Sequence, residues 1–410
     1  MKEVVPLGIT NSRPFHLLLL LLWALPAAHA HAQPLPEGPV RAFDGRVTVG
    51  ADIAATVGNG DDVAFFNYTD YEHNVLKLMR LSVSGVYRPA AWLALVGELR
   101  SEDLEHPIPY AAYVRVRPWQ RHAFDIQAGR IPPTFGAFAR FSYTAGNPVI
   151  GYPLAYQYLT SLRTDAVPAT ADDLLRMRAR GWRSTFPVGS PTPGPGVPLI
   201  SAFEWDTGVQ ATWKTGPFEF SSALTNGSLS SPRVADDNGG KQIVARAVVT
   251  PAVGLIIGAS AARGAWLARG IEGADPPAQR ALGADVEYSR DHWIARAEVV
   301  WSRWGLPSPL APSGAAAVSA AGAWVEGRYR VTPRVFLAGR ADHLGFSEVR
   351  GTLVQTAGAP WDAPVKRLEG CVGYYLQRNF VLRGSVQGNW REAGRDRQRT
   401  YFAGQLAYWF

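Results

Sequence analysis

The sequence has a single cysteine, Cys371, among its 410 residues. It cannot form an intramolecular disulfide, which excludes the class of small secreted domains held together by several such bonds. Charged residues are also scarce, at 18%, compared with roughly 25% in soluble domains. After the N-terminal segment, no apolar run reaches the roughly 18 residues that a transmembrane helix needs. A chain with few charges and no long apolar run is expected where apolar and polar residues alternate, as in transmembrane strands.

The first 32 residues are predicted to be a signal peptide. Basic residues precede an apolar run from Leu17 to Leu25, and two overlapping small-x-small cleavage sites follow within Ala28–Ala32. We expect the mature chain to begin at His31 or Gln33. An uncleaved anchor helix is the alternative, although the run is short for a membrane span. Export without a disulfide favours a protein of the bacterial cell envelope.

Alternation of apolar and polar residues with a period of two predicts an all-β fold for residues 33–410. The predicted strands are 44–57, 74–87, 91–100, 110–117, 122–130, 203–214, 217–226, 242–250, 253–262, 279–289, 292–302, 319–331, 335–345, 364–376, 380–390 and 399–410. Bacterial single-chain membrane barrels have an even number of strands. The sequence therefore predicts a single antiparallel transmembrane β-barrel of about sixteen strands.

The connections between these strands alternate in length. Seven are short, and five of the seven contain proline, which cannot donate to a strand ladder and belongs at strand ends. The long connections are 58–73, 101–109, 131–202, 227–241, 263–278, 303–318, 346–363 and 391–398. This layout, with both termini on the side of the short turns, is typical of outer-membrane barrels.

Aromatic residues cluster beside the short turns, on the face of each strand that carries the apolar residues. They are Tyr87, Trp213, Phe218, Tyr288, Trp293, Tyr329, Tyr374 and Phe380. Aromatic rings of this kind lie at the boundary between membrane and water. Their position at one end of many strands favours a membrane barrel over a soluble β protein, in which they would be ordinary core residues.

The third long connection, Ile131–Ala202, is the longest segment without alternation. It is too rich in Phe, Tyr, Leu and Ile for a disordered segment. We expect it to fold into the barrel lumen as a constriction or plug, and an external cap over the mouth is the alternative. Within it, Thr170 with Asp173 resembles a helix N-cap, and Gly181 is a natural stop, which predicts a helix over Ala171–Arg180.

Several segments resemble bacterial porins of the phosphate-selective and general types. The segment IQAGRIPPTFG (Ile126–Gly136) is similar to the strand and loop that lead into the third loop of such porins. Similar segments are LTNGS from Leu224, GKQIVARAVVTPAVGLIIGAS from Gly240 and RYRVTPRVFLAGRAD from Arg328. The resemblance implies a channel in the bacterial outer membrane, surrounded by outer-membrane lipid, and a possible homotrimer.

The last strand resembles the terminal strand that the barrel assembly machinery recognises in porins. It alternates to the end of the sequence and finishes with Tyr408 and Phe410 on its apolar face. The resemblance implies that these two residues are an assembly signal and that the assembly machinery is a partner.

Motifs of enzymes are missing: the sequence contains no HExxH, GxSxG, GxxxxGK[ST] or CxxC. We expect no enzymatic activity, no metal, no cofactor and no nucleic-acid partner. The expected function is passive diffusion of small hydrophilic solutes or ions, with a mild preference for anions. The alternatives are a substrate-specific channel with a saturable binding site and a non-conducting structural or adhesive barrel.

Charge points to the third long loop as the site that sets this preference. Basic and acidic residues at inward-facing strand positions are nearly equal in number, and we expect them to pair across strands or to be solvated. The loop instead has twice as many arginines as acids. The residues predicted to form the constriction and bind anions are Arg140, Arg163, Arg176 and Arg180 of the loop, with Arg115 and Arg117 of the wall.

Deletion of Phe410 is predicted to lower the amount of folded barrel in the outer membrane, because it removes the terminal part of the assembly signal. Folded and unfolded barrels can be separated by electrophoresis with and without heating. A normal yield of the heat-modifiable form after the deletion would contradict this role for Phe410.

Overall fold

The computed structural model describes residues 35–69, 73–119, 121–201, 205–271 and 277–410, without the side chain of Arg140. Residues Glu37–Phe410 form one compact unit. The predicted signal peptide, residues 1–32, and both candidate cleavage positions lie outside the described residues. Within the described ranges, no helix is long and apolar enough to cross a membrane.

One antiparallel sheet of 17 strands forms the body of the molecule, and two small two-stranded sheets lie in its long connections. Sixteen strands of the large sheet form the barrel, as the alternation predicts. The remaining short strand, Val40–Ala42, pairs with Val47–Val49 at the start of the first barrel strand. The barrel strands are β1 Val47–Gly58, β2 Met79–Ala90, β3 Leu93–Glu102, β4 Ile108–Val116, β5 Ala123–Ile131, β6 Asp206–Thr215, β7 Phe218–Thr225, β8 Gln242–Ala252, β9 Leu255–Ala265, β10 Ala278–Arg290, β11 Trp293–Leu310, β12 Ala315–Arg330, β13 Val335–Phe346, β14 Val365–Gln377, β15 Phe380–Arg391 and β16 Gln398–Trp409.

The sheet closes on itself where the last strand pairs with the first. Each strand pairs with its neighbour in sequence, and β16 pairs with β1 from Asp52↔Trp409 to Gly58↔Ala403. Phe410 extends this seam, because its backbone N–H and C=O both bond to Ala51 at 3.0 Å. The predicted architecture, a single closed antiparallel barrel of sixteen strands, is confirmed.

Two predicted boundaries are wrong for identifiable reasons. The predicted loop 303–318 is mostly strand, because β11 runs to Leu310 and β12 begins at Ala315. Pro307 and Pro309 fall where the ladder is interrupted, between Gly305 and Leu310, and Pro312 lies in the turn between the two strands, so none of them removes a paired N–H. The predicted start of the second strand is a 3₁₀ helix, Val75–Lys77, because the Asn74 side chain caps the N–H of Leu76 at 3.0 Å.

The outer surface of the barrel is apolar. Outward positions such as Ile243, Leu282 and Leu368 are more than half exposed, although they are large aliphatic residues. Seven of the eight aromatics predicted beside the short turns are also exposed, Trp293 at 55% and Trp213 at 46% among them. An apolar band edged by aromatic rings is the surface that a lipid bilayer covers.

The hydrophobic core lies inside the barrel. It combines inward-facing residues such as Trp304 and Trp324 with residues of the third long loop such as Phe138 and Tyr156, all less than 5% exposed. A sixteen-stranded barrel is too wide to be filled by its own wall side chains. The loop supplies apolar side chains that fill part of this interior.

Candidate functional site: the lumen loop and the charged wall

The third long loop enters the barrel, and its described residues 132–201 are called the lumen loop below. Phe135 and Phe138 at its start are each 1% exposed, and Tyr156 in the four-residue helix α1 (Leu154–Gln157) is fully buried. The loop bonds to inward-facing side chains of several strands, for example Glu298 and Asp52. Folding into the lumen is therefore confirmed, and the alternative of an external cap is wrong.

Gly136 allows the loop to turn into the lumen. Its φ of +72° lies in the left-handed region, where glycine is favoured. A Cβ at this position would collide with the hydroxyl of Tyr156 and would lie 2.6 Å from a carboxylate oxygen of Glu298. Only a residue without a side chain fits between the loop and the wall here.

Carboxylates of the wall accept hydrogen bonds from the loop backbone. Glu298 of β11 accepts from the backbone N–H of Ala137 at 2.9 Å and from the hydroxyl of Tyr156 at 2.8 Å. Trp324 of β12 donates to the same carboxylate at 3.0 Å. Three more wall acids bind loop N–H groups: Glu369 binds Ile150 and Gly151 at 3.1 and 2.9 Å, Asp342 binds Leu154 at 3.1 Å, and Asp52 binds Thr144 at 3.1 Å.

Arginines of the wall donate to the loop carbonyls in the same way. Arg340 of β13 donates to the carbonyl of Gly151 at 2.8 Å and to the side-chain oxygen of Asn147 at 2.7 Å. Its Nε donates to Glu326 at 3.0 Å, so the guanidinium also has a carboxylate partner. Three other wall arginines bind loop carbonyls: Arg296 binds Gly146 at 2.8 Å, Arg367 binds Tyr152 at 3.0 Å, and Arg383 binds Thr144 at 2.6 Å.

These contacts change the expected role of the wall charges. Glu298, Arg340 and Glu369 are each 3% exposed, so they are not a solvated lining. Cross-strand pairing does occur, for example between Arg246 and Asp285 at 2.6 Å. Strand parity carried no signal that eight of the wall charges bind the loop backbone.

The lumen loop is also tied to an outer connection, residues 347–364. The carboxylate of Asp172 accepts from three successive backbone N–H groups, those of Thr352, Leu353 and Val354, at 3.1, 3.0 and 2.8 Å. These bonds, led by the one from Val354, lower the pKa of Asp172 below its usual value. Asp362 completes the tie by accepting from the N–H of Ser161 at 2.7 Å.

The predicted helix begins as expected but ends early. Helix α2 spans Ala171–Arg176, with a complete capping box in which Thr170 and Asp173 bind each other's backbone N–H. It stops because Ala179, at φ +60°, turns its N–H away to Asp362 at 2.7 Å. The prediction that Arg176 and Arg180 share one helix is therefore wrong.

The structure does not bring the six predicted arginines together. Arg176 and Arg180 are exposed beside the outer connection 347–364, whereas Arg115 and Arg117 lie next to a short turn at the opposite end of the barrel. Arg117 pairs with Asp125 at 2.8 Å. Arg140 lies in the 3₁₀ helix Phe138–Phe141, and its side chain is outside the described part of the chain.

Arg163 is a cross-link within the loop. It is 2% exposed, pairs with Asp165 at 2.7 Å and donates to the carbonyls of Ser184 and Thr192 at 2.8 and 2.6 Å. Every nitrogen of its guanidinium thus has an acceptor. The loop owes part of its shape to this residue, since one side chain joins three segments.

Two cavities lie between the lumen loop and the wall. The first, about 20 Å³, lies against β1, β2, β15 and β16, and its charged lining residues are Arg80 and Arg383. The second, about 40 Å³, lies between the two ends of the loop and β6 to β8, and its charged lining residue is Asp206. Each is large enough for only a few water molecules.

Glu369→Ala is predicted to loosen the middle of the lumen loop. Without the carboxylate, the N–H groups of Ile150 and Gly151 are buried without an acceptor, which costs about 1–3 kcal/mol for each group. Deuterium uptake by the peptide that contains these two residues should rise, as measured by exchange and mass spectrometry.

The matched control is Glu219→Ala, because Glu219 pairs with Lys214 at the exposed short-turn end, at 2.6 Å. This change should leave uptake in the lumen loop as in the wild type. Equal uptake in Glu369→Ala and the wild type would show that the carboxylate does not hold the loop.

No protein-family model and no curated protein sequence matches this chain. Within the described residues, no group of three or more His, Cys, Asp or Glu side chains is placed to hold a metal ion.

Solved structures do match, over most of the chain. OmpT, an outer membrane protein of Vibrio cholerae, aligns with a TM-score of 0.54 at 11% identity over 92% of this chain and 100% of its own. The anion-selective porin from Comamonas acidovorans gives 0.54 at 10% identity over 89% and 99%. Salmonella typhi OmpF, in complex with daunomycin, gives 0.52 at 12% identity over 90% and 100%.

Identities this low establish the fold alone. The neighbours nonetheless agree with the closed antiparallel barrel of sixteen strands. The resemblance inferred from the sequence is confirmed at this level, and the chain has the sixteen-stranded porin fold.

Proposed function

We propose that the protein is a narrow channel of a bacterial outer membrane, through which small hydrophilic solutes and ions diffuse passively. The apolar outer band supports a membrane location, because it would be costly to expose to water. The neighbours are outer-membrane proteins and porins by their own descriptions. The exported N-terminus expected from the sequence fits the same location.

The observation that carries the proposal is that the lumen loop is bonded to charged side chains along an arc of the barrel that runs from β11 through β15 to β1. Glu298 of β11, Asp342 of β13, Glu369 of β14, Arg383 of β15 and Asp52 of β1 hold it from different sides. The width of any path is therefore set by the loop. Conduction runs along the margins between loop and wall, so we expect a conductance well below that of an open sixteen-stranded barrel.

The preference for anions forms part of the proposal. Arg176 and Arg180 are exposed at the outer end, together with Arg183, and Arg115 lies near the opposite end. Positive charge at both mouths raises the local concentration of anions. Arg163 contributes indirectly, because it fixes the shape of the loop that carries the other arginines.

A second candidate, a non-conducting structural barrel, is favoured by one observation. Wall charges as far apart in the sequence as Asp52 and Arg367 are buried, at 7% and 1% exposure, as in a sealed interior. A substrate-specific channel differs from both candidates in that a solute would block its conductance with saturation. A planar bilayer recording of the wild type separates the three.

Further partners complete the proposal. Outer-membrane lipid covers the apolar band, and the barrel assembly machinery recognises the end of β16 at Tyr408 and Phe410. A homotrimer is proposed because a neighbour with the same fold, OmpT of Vibrio cholerae, has a trimer form. Cross-linking in outer-membrane fragments would reveal the oligomer.

Replacement of Thr134–Leu199 by a short Gly/Ser linker is predicted to raise single-channel conductance severalfold, because it removes the obstruction from a lumen of fixed diameter. The measurement is single-channel recording in a planar bilayer, on protein first shown to be folded by heat modifiability. Replacement of the exposed outer residues 104–107 by the same kind of linker is the control and should change little. An unchanged conductance in the first variant would place the conducting path away from the loop.

Arg176→Glu combined with Arg180→Glu is predicted to move the reversal potential in a KCl gradient towards cation preference. The shift should shrink at about 1 M salt, where the Debye length is roughly 3 Å. Arg395→Glu with Arg397→Glu is the control pair, since both residues are exposed in the last outer connection. Equal shifts from the two pairs would show that the lumen-loop arginines have no special role in selectivity.

A further inference from the structure

Three arginines lie side by side on the outer surface of the barrel. Arg263 of β9 is the register partner of Arg280 of β10, and Arg280 is also the register partner of Arg303 of β11. All three are exposed. Ser302 and Trp304, on either side of Arg303, are fully buried, so the arginine lies on the face that points away from the lumen. These three residues are called the arginine row below.

The arginine row has no acidic partner within the described part of the chain. None of its members forms an ion pair there. The register positions that continue the row on either side are Ile243 of β8 and Ser319 of β12, which are both uncharged. Like charges directly opposite each other on a sheet repel and destabilise it. The row therefore brings together positive charge that the described residues do not neutralise.

The arginine row lies at the outer edge of the apolar band. The long connection 266–277 joins β9 to β10, which places the row at the outer end of the barrel. Towards the middle of the band, the next outward residues are Leu282 and its register partner Trp301, which are 58% and 38% exposed. Tryptophan at this position marks the boundary between hydrocarbon and headgroups. The row is thus one step beyond the apolar surface, on the side of the headgroups.

Strand geometry gives the same level for the row. Arg280 lies eight residues along β10 from Tyr288, one of the aromatics beside the short turns, which is about 27 Å at roughly 3.4 Å per residue. Strands tilted by about 35–45° convert this length to roughly 20 Å along the barrel axis. The apolar band of such barrels is about 25 Å tall. An extended arginine side chain covers the remaining distance, with its stem in the apolar layer and its guanidinium among the headgroups.

The chemistry of the row suits phosphate groups. A guanidinium binds phosphate with two parallel hydrogen bonds, which gives the pair both strength and a fixed geometry. Neighbouring strands are roughly 4.8 Å apart, so the three guanidinium groups can extend over about 10 Å. A headgroup that carries more than one phosphate can engage all of them at once. The apolar residues directly below the row are suited to the acyl chains of the same molecule.

We propose that the arginine row binds the phosphate groups of a lipid in the outer leaflet of the outer membrane. The acyl chains of this lipid cover Leu282 and Trp301, and its phosphates supply the negative charge that the row lacks. The site goes beyond a general covering of the apolar band, because it fixes one lipid by its headgroup. It rests on the outer-membrane location within the proposed function and not on conduction, so a non-conducting barrel would retain it.

The first experiment measures binding of diphosphorylated lipid A to the purified barrel by native mass spectrometry, in EDTA so that no divalent cation bridges the phosphates. The triple change Arg263→Gln, Arg280→Gln and Arg303→Gln should weaken binding by about a hundredfold, because each basic residue near an anionic lipid surface contributes a factor of roughly five. Monophosphorylated lipid A should bind the wild type more weakly. A wild type that binds the two lipids equally, or that loses the lipid to inorganic pyrophosphate at the same concentration, contradicts the proposal.

The matched control is the triple change Arg121→Gln, Arg290→Gln and Arg378→Gln, which removes three exposed arginines at the short turns of the opposite end. It alters the net charge equally and should leave the affinity unchanged, whereas an equal loss in both triples rejects the site. A second control, Glu272→Gln with Asp275→Asn, neutralises two acids of the connection between β9 and β10 that lie outside the described residues. A tenfold gain in affinity there would show that the protein itself already neutralises the row, against the proposal.

Thermal unfolding separates loss of lipid binding from loss of folding. In detergent without lipid, the row triple should unfold at the temperature of the wild type or above it, because the change removes repulsion between like charges. Added diphosphorylated lipid A should raise the midpoint temperature of the wild type with saturation, and that of the row triple much less. An equal rise in both overturns the proposal.

Arg280→Gln alone, at the centre of the row, is the second variant in case the triple fails to fold. It should lower the affinity for diphosphorylated lipid A by about fivefold. An unaltered affinity would reject the row as a lipid site. A change in the number of subunits with lipid binding intact would instead assign the row to a contact between copies of the chain, and it would overturn the proposal.

Discussion

A peptide backbone inside a protein must have its N–H and C=O groups hydrogen-bonded, and this requirement governs the interior of the barrel. The lumen loop has little regular structure of its own, so only part of its backbone bonds within the loop, as from the N–H of Thr160 to the carbonyl of Val197 at 3.0 Å. Acidic and basic wall side chains supply further partners: Glu298 and Glu369 accept from N–H groups, and Arg340 and Arg383 donate to carbonyls. Bonds to charged groups are stronger than bonds between neutral ones, which suits a loop with few other restraints.

This requirement also explains the near balance of acids and bases on the wall. A backbone offers one donor and one acceptor per residue, so a wall that holds it needs both kinds of partner. Around Gly151, for example, Glu369 takes the N–H and Arg340 takes the carbonyl. Part of the charge of the wall thus serves the attachment of the loop, and another part pairs within the wall, as Arg246 does with Asp285. The proposed preference for anions is instead set by the arginines at the two mouths of the barrel.

Much of the fold was predictable from the sequence because a strand can be recognised from the pattern of its own residues. Alternation with a period of two identified all sixteen strands, and Thr170 with Asp173 marked the start of α2. The candidate site was less predictable, because its contacts join distant parts of the chain: Glu369 and Ile150 are 219 positions apart. The end of α2 depends on Asp362, and the burial of Arg163 depends on Ser184 and Thr192, which no local pattern reveals.

The seam between β16 and β1 joins the last strand of the barrel to the first. Its last bonds join Ala51 to Phe410, so the ring stays incomplete until the final residue of the chain has been delivered. The lumen loop is made much earlier, but many of its partners lie on β13, β14 and β15, in the last quarter of the sequence. Closure of the seam and attachment of the loop therefore both depend on contacts with the last quarter of the chain, and contacts of such large sequence separation form slowly.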